Sequence, residues 1–318
     1  MEDVHHITLA GIMGQDEASF VTTEASAGRD SSTTLFLAVG TQDRIYCGNV
    51  GFGQYIDMYD TGLRHDSGYI SLVKTGIFSQ TVGNARLASL QIDAGSLKVV
   101  NTLLLAGELS VAQDGNLVVG HDEWQGLYDY DVQVNDGGVL RLGSGFGSLT
   151  GTPYTEDGVQ KTGNTILLNG GGVLGMLDAD WSNENEMVVN AGGKAFVLDT
   201  TGYDPDSMTA SGNSHVMTLN GTVKPGGASG IIIVKNGNAG KNGRVVLGAA
   251  NTWDGVYQVT DHAALELAHA GALNTKAGVE LQGAASRLDV KAGTVSYAAS
   301  VKLAGAGASV NTLNSSSL

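Results

Sequence analysis

The sequence predicts an all-β chain: a parallel β-helix, or β-solenoid, of rungs about 21–22 residues long, with a β-rich cap at the N-terminus. Three observations predict it. A strand–turn–strand phrase recurs along the chain, glycine supplies 47 of 318 residues without the three-residue period of collagen, and the i, i+3, i+4 spacing of amphipathic helices is almost absent. A 42% apolar fraction with only 6% aromatics and 3 prolines suits a core of thin aliphatic layers better than a bulky globular interior.

The phrase is an alternating apolar segment, a polar turn rich in Asn, Asp and Gly, and a second alternating segment. Its copies are Leu90 to Val99, Val132 to Leu142, Ile166 to Met176, Met187 to Leu198, Tyr257 to Leu267 and Val279 to Val290, with a weaker one from Met217. The shortest separations, 21 residues from 166 to 187 and 22 from 257 to 279, set the rung; the longer ones are expected to carry loop-sized additions. Three to five buried aliphatics per rung, at roughly 1.5–3 kcal/mol each, barely offset a backbone entropy cost of about 1–2 kcal/mol per ordered residue. A rung therefore needs neighbours on both open edges, which is why the phrase repeats.

At the turns stand Asp93, Asn135, Asn169, Asn190 and Asn220, each followed within three residues by glycine. Asn accepts the left-handed backbone conformation, and stacked Asn side chains form hydrogen-bonded ladders. These residues are expected to be structural.

Two regions follow. Residues 1–68 lack the phrase and hold Phe20, Phe36, Tyr46, Phe52, Tyr55 and Tyr59; they are expected to form the β-rich cap or a flanking subdomain, with strands over Leu35 to Val39 and Arg44 to Cys47. Residues 69–318 are expected to be the β-helix. The formal charge of -15 weighs against nucleic acid and anionic membranes as partners. Cys47, the only cysteine, has no internal disulfide partner, which suits either a reducing compartment or a secreted chain that crosses a membrane unfolded. No apolar run approaches the 18 residues of a membrane span, so no membrane insertion by this segment is expected.

Two stretches resemble the repeat of bacterial autotransporter passenger regions. The first is Ser71 to Val99; the second is Gly243 to Val290, including Val246-Leu247-Gly248-Ala249-Ala250-Asn251-Thr252-Trp253-Asp254-Gly255. The first lacks the Asn-Thr-aromatic-x-Gly element of that repeat, and the second has Asp261-His262-Ala263 where a Gly-containing turn is usual. The resemblance implies a secreted or surface-displayed passenger at the outer membrane of a Gram-negative bacterium. It implies no single activity, because such scaffolds carry many.

Two sets of residues are candidates for chemistry. Asp60-Thr61-Gly62 and Asp66-Ser67-Gly68 resemble the triplets of aspartic peptidases, in which two carboxylates share a proton and activate water; the alternative is turn chemistry, with Arg64 and His65 pairing the carboxylates. The second set is two acidic, aromatic insertions: Asp122, Glu123 and Trp124 with Tyr128, Asp129 and Asp131, and Asp178, Asp180 and Trp181 with Glu184 and Glu186. On loops projecting from one face, a Trp can stack on a sugar ring while carboxylates bind hydroxyls; solvated loops with a Trp on the flank are the alternative.

No His or Cys spacing suggests a metal site, no cofactor fingerprint is present, and no serine occupies a Gly-x-Ser-x-Gly setting. The expectation is a stalk and binding surface for extracellular glycoproteins or glycans. An acid-active endopeptidase using Asp60 and Asp66 is the alternative, and a polysaccharide hydrolase or lyase comes third. The sequence leaves the oligomeric state open.

Overall fold

The computed structural model describes residues 5–15, 20–21, 33–50, 70–87, 89–100, 102–105, 109–112, 114–119, 123–126, 132–142, 154–156, 159–161, 166–177, 179–204, 209–239, 243–291 and 300–312. Among them there is no helix. The chain is all-β, with parallel sheets of nine, fourteen and six strands and two small antiparallel hairpins.

One circuit shows how the sheets fill. Ile166–Asn169 joins the nine-stranded sheet, Val173–Met176 the fourteen-stranded sheet and Trp181–Asn183 the six-stranded sheet; Met187–Asn190 then returns beside Ile166–Asn169. The returning strand runs parallel to the one it joins, so each layer pairs its backbone with the layers before and after it rather than within itself.

The register stacks like on like. In the nine-stranded sheet Leu90, Leu109, Val132, Ile166, Met187 and Val223 follow one another, and all are buried. In the fourteen-stranded sheet the succession is Leu97, Leu117, Leu140, Leu174, Leu198, Val234, Val259, Leu281 and Leu303. Side chains one residue along, such as Gln91, Ser110 and Gln133, point to the other face and are more exposed.

The pairings Ile166 with Met187 and Tyr257 with Val279 reproduce the 21- and 22-residue separations of the phrase. The longer interval from Leu90 to Val132 departs from expectation. It is no loop-sized addition, because Leu109–Val111 and Gly115–Val119 form a further layer inside it. There Asp114 (φ 62°) takes the left-handed position that Gly137 (φ 76°) and Gly171 (φ 89°) hold in the next two layers.

The phrase also changes corner. From Leu90 to Met187 its two strands lie in the nine- and fourteen-stranded sheets; from Tyr257 and Val279 they lie in the fourteen- and six-stranded sheets. The copy from Met217 bridges the six- and nine-stranded sheets. The polar ladder is correspondingly local: Asn169 Nδ2 donates to Asn135 Oδ1 at 2.6 Å and Asn135 Nδ2 to Ser110 Oγ at 3.0 Å, while Asn190 stands in register with Asn169. Asn220, at another corner, donates instead to Glu184 Oε1 at 2.7 Å.

His5–Leu9, Thr33–Ala38 and Ile70–Thr75 are successive neighbours in the nine-stranded sheet, and Arg44–Val50 pairs with Gln80–Leu87. The described strands of residues 1–68 thus continue the same parallel sheets across residue 69. At its other end the nine-stranded sheet stops at Val223–Pro225. Here Asn251 takes over: its Oδ1 accepts the Val223 N–H at 2.7 Å and its Nδ2 donates to the Ala272 carbonyl at 2.9 Å. Trp253 fills the core beside it, fully buried. The Asn-Thr-Trp element therefore adds these side-chain bonds to backbone bonds from the Thr252 and Trp253 N–H groups to the Val223 carbonyl, both at 3.0 Å.

Candidate functional site

Of the residues singled out in the sequence, Asp60, Asp66, Asp122, Tyr128, Asp129, Asp131 and Asp178 lie outside the described residues. Glu123 and Trp124 begin the strand Glu123–Gly126, which pairs with Thr102–Leu105. Trp181 requires a correction. It opens the strand Trp181–Asn183, pairs with Met217, and is only 3% exposed, so its ring belongs to the core and is not offered to a sugar. The alternation of the strand explains this: Trp181 and Asn183 face inward, while Ser182 between them is exposed. Glu186 reaches Lys224 Nζ at 2.5 Å, so this acidic residue braces a neighbouring layer.

Asp180, by contrast, stands beside a histidine, and its carboxylate is 68% exposed. It lies where the chain passes from the fourteen-stranded to the six-stranded sheet. One layer later the same corner carries a hairpin, Thr201–Tyr203 against Ala210–Ser214. Asp180 Oδ1 accepts the Val216 N–H at 2.8 Å and stands 3.5 Å from His215 Nδ1. The imidazole is 12% exposed, and its Nε2 is buried without a hydrogen-bond partner. His215 N–H donates to the Thr200 carbonyl at 2.9 Å, closing the base of the hairpin.

The hairpin is tied down on both sides. Tyr203 N–H donates to the Leu177 carbonyl at 2.9 Å in the layer before. Towards the layer after, Ser214 Oγ donates to Asn236 Oδ1 at 2.7 Å, Gly237 N–H to Thr201 Oγ1 at 2.8 Å, and Asn238 Nδ2 bonds the Asn213 carbonyl. Its register shifts between Thr201 and Tyr203, where Gly202 lies opposite the bulged residues around Gly212, whose φ is 77°. Bulges of this kind re-aim side chains. Here the Cβ that Gly202 lacks would sit 2.8 Å from His215 Nε2 and 2.9 Å from Ser211 Oγ.

A second polar group lies by the same hairpin. Arg141, Gly175 and Asp199 are in register on three adjacent strands. A Cβ on Gly175 would lie 2.7 Å from an Arg141 terminal nitrogen, so the glycine leaves the room through which the arginine reaches towards Asp199, with 4.0 Å between the charged groups. Asp199 in turn accepts the Thr201 N–H at 3.0 Å. Arg141, Tyr203, Ser211 and His215 were not singled out in the sequence. Arg141 is the one with a local signal: a charge between Leu140 and Leu142 marks an outward position on an apolar strand.

Among the described residues no three His, Cys, Asp or Glu side chains are grouped to hold a metal ion. Comparison of the chain with protein-family models, with curated proteins and with solved structures finds no match.

Proposed function

We propose that the three parallel sheets are the walls of one parallel β-helix, and that the chain is an autotransporter-type passenger, secreted or displayed at the outer membrane of a Gram-negative bacterium. It serves as a stalk and a binding surface for extracellular glycoproteins or glycans. The observation that carries this function is the way additional chain leaves the stack. Leu198 pairs with Val234 in unbroken register although the hairpin Thr201–Tyr203/Ala210–Ser214 lies between them in sequence. A scaffold that keeps its register while a corner grows outward is suited to presenting variable loops. The bracing of Val223 and Ala272 by Asn251, within the stretch that resembles autotransporter repeats, supports the same assignment.

The test is direct. The purified chain is applied to a panel of immobilised glycans and mucin-type glycoproteins, alongside Trp124→Ala and Tyr128→Ala variants. Saturable binding by the parent chain that weakens at least tenfold in the variants is expected; no binding, or binding indifferent to both substitutions, sinks the proposal.

A further inference from the structure

We infer that Ser211, His215 and Asp180 form a nucleophile–base–carboxylate constellation, making the hairpin corner an acyl-ester hydrolase site. Such a triad is recognised by the roles its members take towards one another rather than by sequence position or fold. Each role has an observation here. Asp180 Oδ1 faces His215 Nδ1 at 3.5 Å and is itself held by the Val216 N–H, which orients the carboxylate on that edge of the ring. His215 Nε2, on the opposite edge, is buried and has no hydrogen-bond partner. Ser211 is exposed, and its Oγ and the free Nε2 both lie within hydrogen-bond distance of one point, the place a Cβ would occupy on Gly202.

Structural duty does not account for this arrangement. A histidine that merely closed the hairpin would need only its backbone N–H, which bonds Thr200. Any side chain at residue 202 would separate the serine from the imidazole, and glycine is what stands there. Ser211 Oγ accepts the Asn213 N–H at 3.3 Å, which leaves its proton available to donate. Ser211 is exposed, and rotamer changes of exposed side chains take picoseconds to nanoseconds, so its hydroxyl is free to sample other orientations about χ1.

The chemistry balances without a further reagent. Ser211 Oγ attacks the carbonyl carbon of an ester and passes its proton to His215 Nε2, while the ring keeps its Nδ1 proton towards Asp180. The ester C–O bond breaks and the departing alkoxide takes the proton from Nε2, leaving an acyl-serine. Water then attacks the acyl carbon, gives a proton to Nε2, and releases the carboxylic acid as Ser211 recovers its proton. An exposed serine on the outer side of a corner suits a small O-acyl group on a larger carrier.

The experiment uses the whole chain with a fluorophosphonate probe, which phosphonylates activated serines, and peptide mass mapping. Stoichiometric labelling of Ser211 is expected, at a rate that rises with pH and falls at least a hundredfold in His215→Gln. Asp180→Asn, whose carboxamide oxygen still accepts the Val216 N–H, is expected to slow labelling at least tenfold with the far-ultraviolet circular dichroism unchanged. Ser211 remaining unlabelled in the folded chain overturns the proposal, and so does labelling at the parent rate in either variant. Hydrolysis of p-nitrophenyl acetate gives an independent readout: it is expected to be lost in Ser211→Ala, and its persistence there also overturns the assignment.

Discussion

Arg141 places its guanidinium carbon 3.5 Å from the centre of the Tyr203 ring, joining the outer side of the fourteen-stranded sheet to the first strand of the corner hairpin. A cation over an aromatic face contributes about 0.5–1 kcal/mol when exposed and about 2 when desolvated, and this guanidinium is largely buried. Tyr203→Ala is expected to lower stability by about 1–2 kcal/mol and to raise amide exchange across the hairpin; exchange unchanged from the parent would show that the hairpin does not depend on the contact.

Gly175 supports the same contact from below. Gly175→Val is expected to displace the Arg141 side chain and to loosen the hairpin as much as Tyr203→Ala does, although Gly175 is outside the hairpin. The two effects should not add in the double variant, because residues sharing one partner couple. Full additivity in urea unfolding would refute that dependence.

Asn251 should be the costliest of the turn asparagines to replace. Asn251→Ala leaves the Val223 N–H and the Ala272 carbonyl, both in the interior, without their partners, at about 1–3 kcal/mol for each buried group. Asn220→Ala removes one exposed bond to Glu184 and is expected to cost less than about 1 kcal/mol. Equal destabilisation in chemical denaturation would contradict the bracing role of Asn251.

Lys74 combines a buried side chain with three acceptors, the carbonyls of Thr75 and Gly76 at 2.8 Å and of Ala94 at 3.0 Å. Burial pulls its pKa from 10.5 down to about 8, partly opposed by Asp43. Between those two values the unfolded chain holds more protons at this site than the folded one, so its contribution to stability rises with pH across that window and is flat below it. Lys74→Met is expected to destabilise at neutral pH, by taking the ammonium donor from the Gly76 and Ala94 carbonyls while Thr75 keeps its bond from the Val39 N–H, and to remove this part of the rise between pH 8 and 10.5. Melting temperatures of both proteins across that range are the measurement; parallel curves would disprove it.

Position along a column should decide the cost of a core deletion. Leu174→Ala removes a fully buried side chain with a leucine in register on either side, and about 2–5 kcal/mol is expected. Leu303 belongs to the same column but is 57% exposed, so Leu303→Ala should cost less than about 1 kcal/mol. Similar losses at the two positions would argue against the layered core.

The strands were legible because alternation and turn chemistry are local: Leu90, Val132, Ile166 and Met187 can be aligned by eye, and each proves to be a core position of one sheet. The layer at Leu109 escaped because Asp114, not glycine, takes the left-handed position at its turn. Which pair of sheets each copy joins was also hidden, since the same phrase serves any two of the three. Trp181 was misplaced for a related reason: acidic neighbours suggested a loop, but inward-facing residues at alternate positions put the indole in the core. The corner site was legible only at Asp180. Ser211 and His215 are brought together by a bulge and by the empty space at Gly202, and neither feature leaves a pattern in the sequence.

The hydrogen bond from His215 N–H to the Thr200 carbonyl has a consequence for engineering. It holds the two ends of the intervening segment together while the sheets on either side continue undisturbed, as a socket holds a fitting. Closing a longer loop there costs only about 0.6 kcal/mol more for each doubling of length. Foreign peptides or small domains spliced between those two residues should be carried by the stack as exchangeable cargo.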